Sequence, residues 1–171
     1  MKRVLAPFLG TVLVLATMLY VSRYSSNASP TRGDLPQIFF LQKDSIQTEL
    51  FTVLTENQPV VLVFFNSTCD HCQEFARELI MKKRLLQNVS IIMLSAESLK
   101  IVHDFYVSNS LSEIKNLVTG KDHLAKGQQL FGFESYPFCV VYNEKRQFIR
   151  SFQRNFNVDS LVISIQSGKR D

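Results

Sequence analysis

The chain contains no tryptophan, only three cysteines and three histidines, and few breakers, with six glycines and five prolines among 171 residues. No cysteine lies near the N-terminus, so a lipoprotein reading has no attachment residue. A zinc site built on Cys69 and Cys72 would need two more ligands from Cys139, His71, His103 and His123, and none of these repeats metal-ligand spacing. No metal is therefore expected. There is no internal repeat and no low-complexity segment, and a hydrophobic content of 46% is enough for a core. An excess of one charge is also missing from most of the chain. Lys2, Arg3, Arg23 and Arg32 are the only charges before Gly33, and beyond it 15 basic residues face 15 acidic ones. The net charge of +4 thus belongs to the N-terminal flank and gives no argument for nucleic-acid binding. The one basic run, Lys82 to Arg84, reads as the solvated end of a helix.

Long hydrophobic runs are scarce too, with one exception. Val4 to Val21 is an uncharged apolar stretch of 18 residues behind Met1-Lys2-Arg3. It is short for a membrane span of about 17 to 25 residues and long for a signal-peptide core of about 7 to 15. Residues 1–21 are read as a signal peptide or, in preference, an uncleaved membrane anchor. Small residues at Ser26-Asn27-Ala28 keep cleavage near Ala28 open. Lys2 and Arg3 place the short N-terminus on the cytoplasmic side, so the rest of the chain is expected outside the inner membrane, facing the periplasm. Residues 22–36, rich in Ser, Asn, Thr, Gly and Pro, read as a linker. The domain proper is expected over 37–167, with a tail at 168–171.

The chain is organised around Pro59 to Cys72, P-V-V-L-V-F-F-N-S-T-C-D-H-C. Val60 to Phe65 shows no polar alternation, as a strand covered on both faces should, although a buried helix segment has the same signature. Pro59 before it and Asn66-Ser67-Thr68 after it favour the strand. Beyond Cys72, apolar residues Phe75, Ala76, Leu79, Ile80 and Leu86 recur at three- and four-residue spacing, which predicts a helix. The cysteines therefore stand where a strand hands over to a helix. Unpaired amides and the partial positive charge at a helix N-terminus favour a thiolate, here on Cys69. His71 between the cysteines would add to this when protonated, and Asp70 would oppose it. Cys72 is placed to attack a mixed disulfide on Cys69.

Strand, C-D-H-C and helix, followed by Ser135-Tyr136-Pro137 leading into another strand, resemble the thioredoxin superfamily. More narrowly, the N-terminal segment and the long insert before that proline resemble membrane-anchored TlpA and ResA type thiol–disulfide oxidoreductases. The resemblance spans roughly residues 35–165. It implies a cis Pro137 lying against the cysteines, with Tyr136 and Pro137 as substrate-binding residues. It also implies protein thiol or disulfide substrates, a membrane or periplasmic redox partner, and no cofactor beyond the redox-active Cys69–Cys72 disulfide. Three positions depart from the pattern. Thr68 stands where thioredoxins have Trp, and Val63 where they have a buried acid. Phe75 occupies the place of an acid that ResA-like proteins often carry three residues after the second cysteine, which leaves Glu74 as a weak substitute.

The remaining elements are read from periodicity. Ile38 to Leu41 is a strand, Ile46 to Leu54 a helix, Val89 to Leu94 a second buried strand, and Ser98 to Asn109 a helix capped by Ser98. Ile114 to Val118 is a third strand closed by Thr119-Gly120, and Asp122 caps a short helix through Phe131. Phe138 to Tyr142 and Gln147 to Phe152 form a hairpin, and Val158 to Ile165 a closing helix. Alternation ending in a hairpin and helix predicts an α/β thioredoxin-like fold, a central mixed β-sheet flanked by helices, preceded by the N-terminal membrane anchor or signal segment. Cys139 reads as a buried thiol that could nevertheless interfere with the Cys69–Cys72 pair. Phe133, Tyr136 and Phe138 offer an apolar landing surface for a substrate loop, part of it core.

The function expected is disulfide exchange with exported proteins, as a reductase by the resemblance, although His71 sits where oxidising DsbA-type relatives carry a histidine. The alternative is a binding or scaffolding module with little redox turnover, supported by Val63 and Thr68. Peroxide reduction is disfavoured because Asn66 stands where peroxiredoxins carry Thr, and copper delivery because that class spaces its cysteines one residue further apart.

Overall fold

In the computed structural model of the chain, residues 33–168 are described. The expected membrane segment, its cleavage site and most of the linker lie outside them. Among the described residues no helix is long and apolar enough to cross a membrane.

Seven strands form one mixed sheet, in the spatial order β2 (Gln47–Glu49), β1 (Phe39–Leu41), β5 (Leu117–Lys121), β4 (Ser90–Ser95), β3 (Val60–Phe64), β6 (Phe138–Tyr142) and β7 (Phe148–Gln153). Inside it, β3 is parallel to β4 on one side and antiparallel to β6 on the other. All five residues of β3 are buried. Side chains of a strand alternate between faces, so Val61, Val63 and Phe65 join one core cluster while Val60, Leu62 and Phe64 join another. The uniform hydrophobicity of β3 follows from both faces being covered. On the first face lie α1 (Asp70–Met81), α2 (Leu99–Ser108) and α4 (Val158–Gly168), which contribute Phe75, Leu79, Phe105 and Leu161. On the second lie α3 (Lys126–Phe131) and the segment around Leu35 and Ile38.

Sequence periodicity misplaced two elements. Residues 46–54 are not a helix: Gln47–Glu49 is strand β2, paired antiparallel with β1 (Phe39–Leu41), and a 3₁₀ turn follows over Leu50–Val53. The turn through Ser45, with φ of 59°, reverses the chain so that β2 covers the edge of β1. Backbone pairing at an open sheet edge outweighs a weak apolar period in which only Leu50 is fully buried. The third central strand begins later than expected. Ile114 ends a 3₁₀ turn over Leu111–Glu113, and β5 runs Leu117–Lys121. Gly120, read as a terminator, is inside β5 opposite Leu94. A Cβ there would meet the Phe40 ring at 2.2 Å and the Leu41 carbonyl oxygen at 2.9 Å, so the close passage of β1 requires glycine at this point. The closing helix also runs three residues further than expected, to Gly168.

Asp122 follows β5 and is 3% exposed. One carboxylate oxygen accepts the Gly127 amide at 2.9 Å, inside the first turn of α3, and the other has no partner among the described residues. Burial pushes this carboxyl above its ordinary value, partly offset by the Gly127 and Lys126 amides. The folded chain thus holds the proton more tightly than the unfolded one, and stability falls as pH rises through the folded-state value. Asp122→Asn keeps an acceptor for Gly127 and removes the charge. Its thermal midpoint is expected a few °C above wild type at pH 7 and close to wild type at pH 4, as read by calorimetry.

Candidate active site

The chain leaves β3 at Phe65, whose amide still bonds the Leu94 carbonyl at 3.0 Å, and turns sharply into α1. Asn66 builds the turn. Its side-chain oxygen accepts from the Thr68 amide at 3.0 Å and the Thr68 hydroxyl at 2.7 Å, and its carbonyl accepts the Cys69 amide at 3.2 Å. Cys69 is the N-cap of α1, with extended backbone, and its carbonyl takes the Cys72 and Gln73 amides at 3.0 and 3.1 Å. Asn66 fits here because its short polar side chain satisfies a backbone group where a strand ends and a helix has not begun.

The two sulfurs occupy unlike places. Cys69 is half-buried at the mouth of the site, and Cys72 is 1% exposed beneath it in the first turn of α1. The Cys69 thiol donates to the Tyr136 carbonyl at 3.6 Å. The Tyr136–Pro137 peptide is cis, and the Pro137 carbonyl accepts the Arg154 amide at 2.9 Å, which ties this segment to the end of β7 (Phe148–Gln153). The three cysteines are unpaired thiols.

Burial pushes the Cys72 thiol up, and Cys69 and the Glu97 carboxylate push it further; the Asn66 backbone amide facing the sulfur works the other way. Cys139, fully buried in β6 opposite Val63, is likewise pushed up by burial. A thiol so placed is a small hydrophobe rather than a nucleophile.

Asp70, His71 and Glu74 are all exposed on the outer side of α1. His71 and Glu74 line an open groove of about 480 Å³ whose other wall includes Arg154 and Phe156. Glu78, also on that groove, accepts the Val158 amide at 2.8 Å and caps α4. Of the aromatic residues expected as a landing surface, Phe133 and Phe138 are core, each 4% exposed and stacked with centroids 4.8 Å apart. Tyr136 alone is partly exposed, edge-on to Phe133. His103 is partly packed on α2 and His123 exposed. Among the described residues no group of three His, Cys, Asp or Glu side chains is placed to hold a metal.

Glu97 is the residue that the sequence reading missed. It follows β4, and its carboxylate reaches across to Ser67 beside the cysteines. Its signal was positional only, an acid just past the C-terminal end of a central parallel strand, where α/β sheets place their sites.

A parallel core of β3, β4 and β5, antiparallel β6 and β7, two cysteines opening α1 and a cis-proline before β6 together define one architecture. The chain has a thioredoxin-like fold. No family model matches it, and no curated protein does. Solved structures of this thioredoxin-like fold match over most of their length. A secreted Mycobacterium tuberculosis disulfide oxidoreductase homologous to E. coli DsbE is 13% identical, with a TM-score of 0.62 over 82% of this chain and 98% of that one. A putative protein disulfide isomerase from Bacteroides thetaiotaomicron is 18% identical, with a TM-score of 0.62 over 82% and 90%. Arabidopsis thaliana ScoI with copper bound is 12% identical, with a TM-score of 0.61 over 79% and 97%. Thioredoxin-like folds thus carry more than one chemistry, and the site has to decide between them.

Proposed function

We propose that the chain is a thiol–disulfide oxidoreductase that reduces disulfides of exported proteins through Cys69 and Cys72. What carries the reading is the asymmetry of the two sulfurs, with Cys69 accessible at a helix N-terminus beside the cis Tyr136–Pro137 peptide and Cys72 buried behind it. The Cys69 thiolate attacks one sulfur of a substrate disulfide; the second substrate sulfur leaves and takes up a proton. Cys72 then loses its proton and attacks Cys69, the Cys69–substrate bond breaks, and the substrate departs with both sulfurs reduced. Two electrons have passed from the dithiol to the substrate, and the dithiol of a membrane or periplasmic partner resets the pair. Backbone groups of Tyr136 align the substrate by strand-like pairing. The related folds described as a secreted disulfide oxidoreductase and a disulfide isomerase support this chemistry. A copper reading finds no third ligand among the described residues. Residues 1–21 would hold the domain at the outer face of the inner membrane.

The test is the reduction potential of the Cys69–Cys72 pair in the full chain carrying Cys139→Ser, equilibrated in dithiothreitol or glutathione buffers. A reductase is expected near the thioredoxin value of about −270 mV. A value near about −120 mV, the DsbA range, would reverse the direction to an oxidant. No reversible two-electron transition would leave a binding module whose dithiol does not turn over.

A further inference from the structure

The resolving step needs a Cys72 thiolate in a place that resists one. Val63, beneath the cysteines on β3, is buried and apolar and offers no proton acceptor. The described titratable groups facing Cys72 are Cys69 on its own helix, Glu97 from the β4–α2 connection and Tyr136 from the segment before β6; Asp122, at the end of β5, faces Tyr136 in turn. Cys139 lies in the same core cluster.

Glu97 differs from the others in how firmly it is held. One oxygen accepts the Ser67 amide at 2.7 Å and the Ser95 hydroxyl at 3.0 Å, and the other accepts the Ser67 hydroxyl at 2.7 Å. Gln73 closes the same loop from α1, its side-chain amide donating to the Ser67 carbonyl at 2.8 Å. Ser67 is the neighbour of Asn66, whose backbone amide faces the Cys72 sulfur. Both carboxylate oxygens already hold donors, so Glu97 is arranged as a clamp and a fixed charge rather than as a base.

We propose that Glu97 is the positioning residue for Cys72 in the resolving step: by gripping Ser67 it sets the Asn66 amide against the attacking sulfur and places a fixed negative charge beside it. This rests on the exchange reading given above. Loss of the Cys69 charge orders the two half-reactions. When Cys69 is ionised, its charge and that of the Glu97 carboxylate both oppose ionisation of Cys72. Once Cys69 is bonded to the substrate sulfur, its charge is gone and only that of Glu97 remains. Cys72 then gives its proton to water and attacks Cys69; the Cys69–Cys72 bond forms, the Cys69–substrate bond breaks, and the departing thiolate is protonated by solvent.

The experiment uses the full chain with Cys139→Ser, in which Cys69 is converted to a mixed disulfide by a symmetric aromatic disulfide. Release of the second chromophoric thiol, as Cys72 attacks, is followed from pH 5 to 9. Glu97→Gln retains acceptors and shape but loses the charge. Thiolate fraction rises tenfold per unit fall in thiol pKa, while nucleophilicity drops with a Brønsted slope of about 0.4–0.5. For each unit by which the thiol value falls, release at pH 7 is therefore expected to be about threefold faster, with the profile displaced to lower pH. Glu97→Ala frees the loop and is expected to slow release roughly tenfold. Ser67→Ala, which loosens the clamp and keeps the charge, should slow it a few-fold with the profile in its wild-type place. Opposite effects of Gln and Ala at one position are not produced by loss of packing. Equal slowing by both Glu97 variants, or wild-type rates in all three, would overturn the proposal. If Glu97→Ala does not fold, the contrast between Glu97→Gln and Ser67→Ala decides it. A wild-type protein that releases no second thiol would overturn the exchange reading itself, and this role with it.

Discussion

Cys69→Ser is expected to abolish turnover of protein disulfides, to the uncatalysed background, and to leave the thermal midpoint within a degree or two of wild type. The hydroxyl that replaces the thiol is not a nucleophile toward disulfides at neutral pH, and nothing else in the site can take its place: Cys72 is 1% exposed and Cys139 fully buried. The structural cost is small because the Cys69 side chain caps nothing in α1 and its bond to the Tyr136 carbonyl is a weak thiol contact at 3.6 Å that a hydroxyl can replace. Cys72→Ser has a different signature. Attack by Cys69 still occurs, resolution does not, and the variant should accumulate as a covalent complex with substrate that dithiothreitol releases. Non-reducing electrophoresis and mass spectrometry read both results. Equal turnover in wild type and Cys69→Ser would sink the assignment of the nucleophile.

The largest effect on stability is expected at Phe64→Ala, a loss of about 3–5 kcal/mol and a fall in thermal midpoint of roughly 10 °C or more. Phe64 is 1% exposed and stands at the C-terminal end of β3. Its ring stacks on Phe133 at 5.1 Å and meets Phe131 at 5.5 Å and Phe138 at 6.3 Å. On the α3 side it lies so close to Gly127 that a Cβ there would come within 1.9 Å of the ring. Truncation leaves a cavity lined by three buried aromatic rings, Phe131 in α3, Phe138 in β6 and Phe133 in the connection between them, so collapse is limited. Phe133 and Phe138 flank the cis Tyr136–Pro137 segment, so the same change is expected to slow exchange as well as to lower stability. Urea denaturation against a thiol-release assay separates the two. A midpoint within 2 °C of wild type would show that this buried cluster does not carry the stability of the fold.

The cysteine pair is placed at the edge of a well-packed unit for a physical reason. Two hydrophobic clusters, one on each face of β3, meet at the strand's C-terminal end, where the chain must leave the sheet. The Thr68 and Cys69 amides freed there bond the Asn66 side chain and carbonyl, and the Ser67 amide and carbonyl bond Glu97 from the neighbouring strand end and Gln73 from α1. A rigid strand and a short, fully bonded turn therefore deliver Cys69 to the surface and Cys72 to the interior without a mobile loop between them.

Local sequence was enough wherever one short stretch carried its own constraint. The apolar run Val60 to Phe65, the turn residues Asn66 to Thr68 and the three- and four-residue spacing after Cys72 specify strand, turn and helix from within, because each depends on neighbours in the chain. Ser98 as a cap is legible for the same reason, its hydroxyl accepting the Ile101 amide. What local sequence could not decide depends on partners far along the chain. Residues 46–54 have an apolar spacing compatible with a helix, yet the unpaired edge of β1 draws Gln47–Glu49 into the sheet. Thr119-Gly120 has the composition of a turn and lies in a strand, because Phe40 passes too close for a side chain. Glu97 is one acid among fifteen in the sequence, and only the parallel register of β3 and β4 brings it to Ser67, thirty residues away. The chain thus determined by itself that a pair of cysteines would stand at a strand-to-helix junction, since capping and periodicity act over a few residues. The packing of one strand end against another decided which carboxylate stands beside them, since that choice is made by contacts that exist only once the sheet has formed.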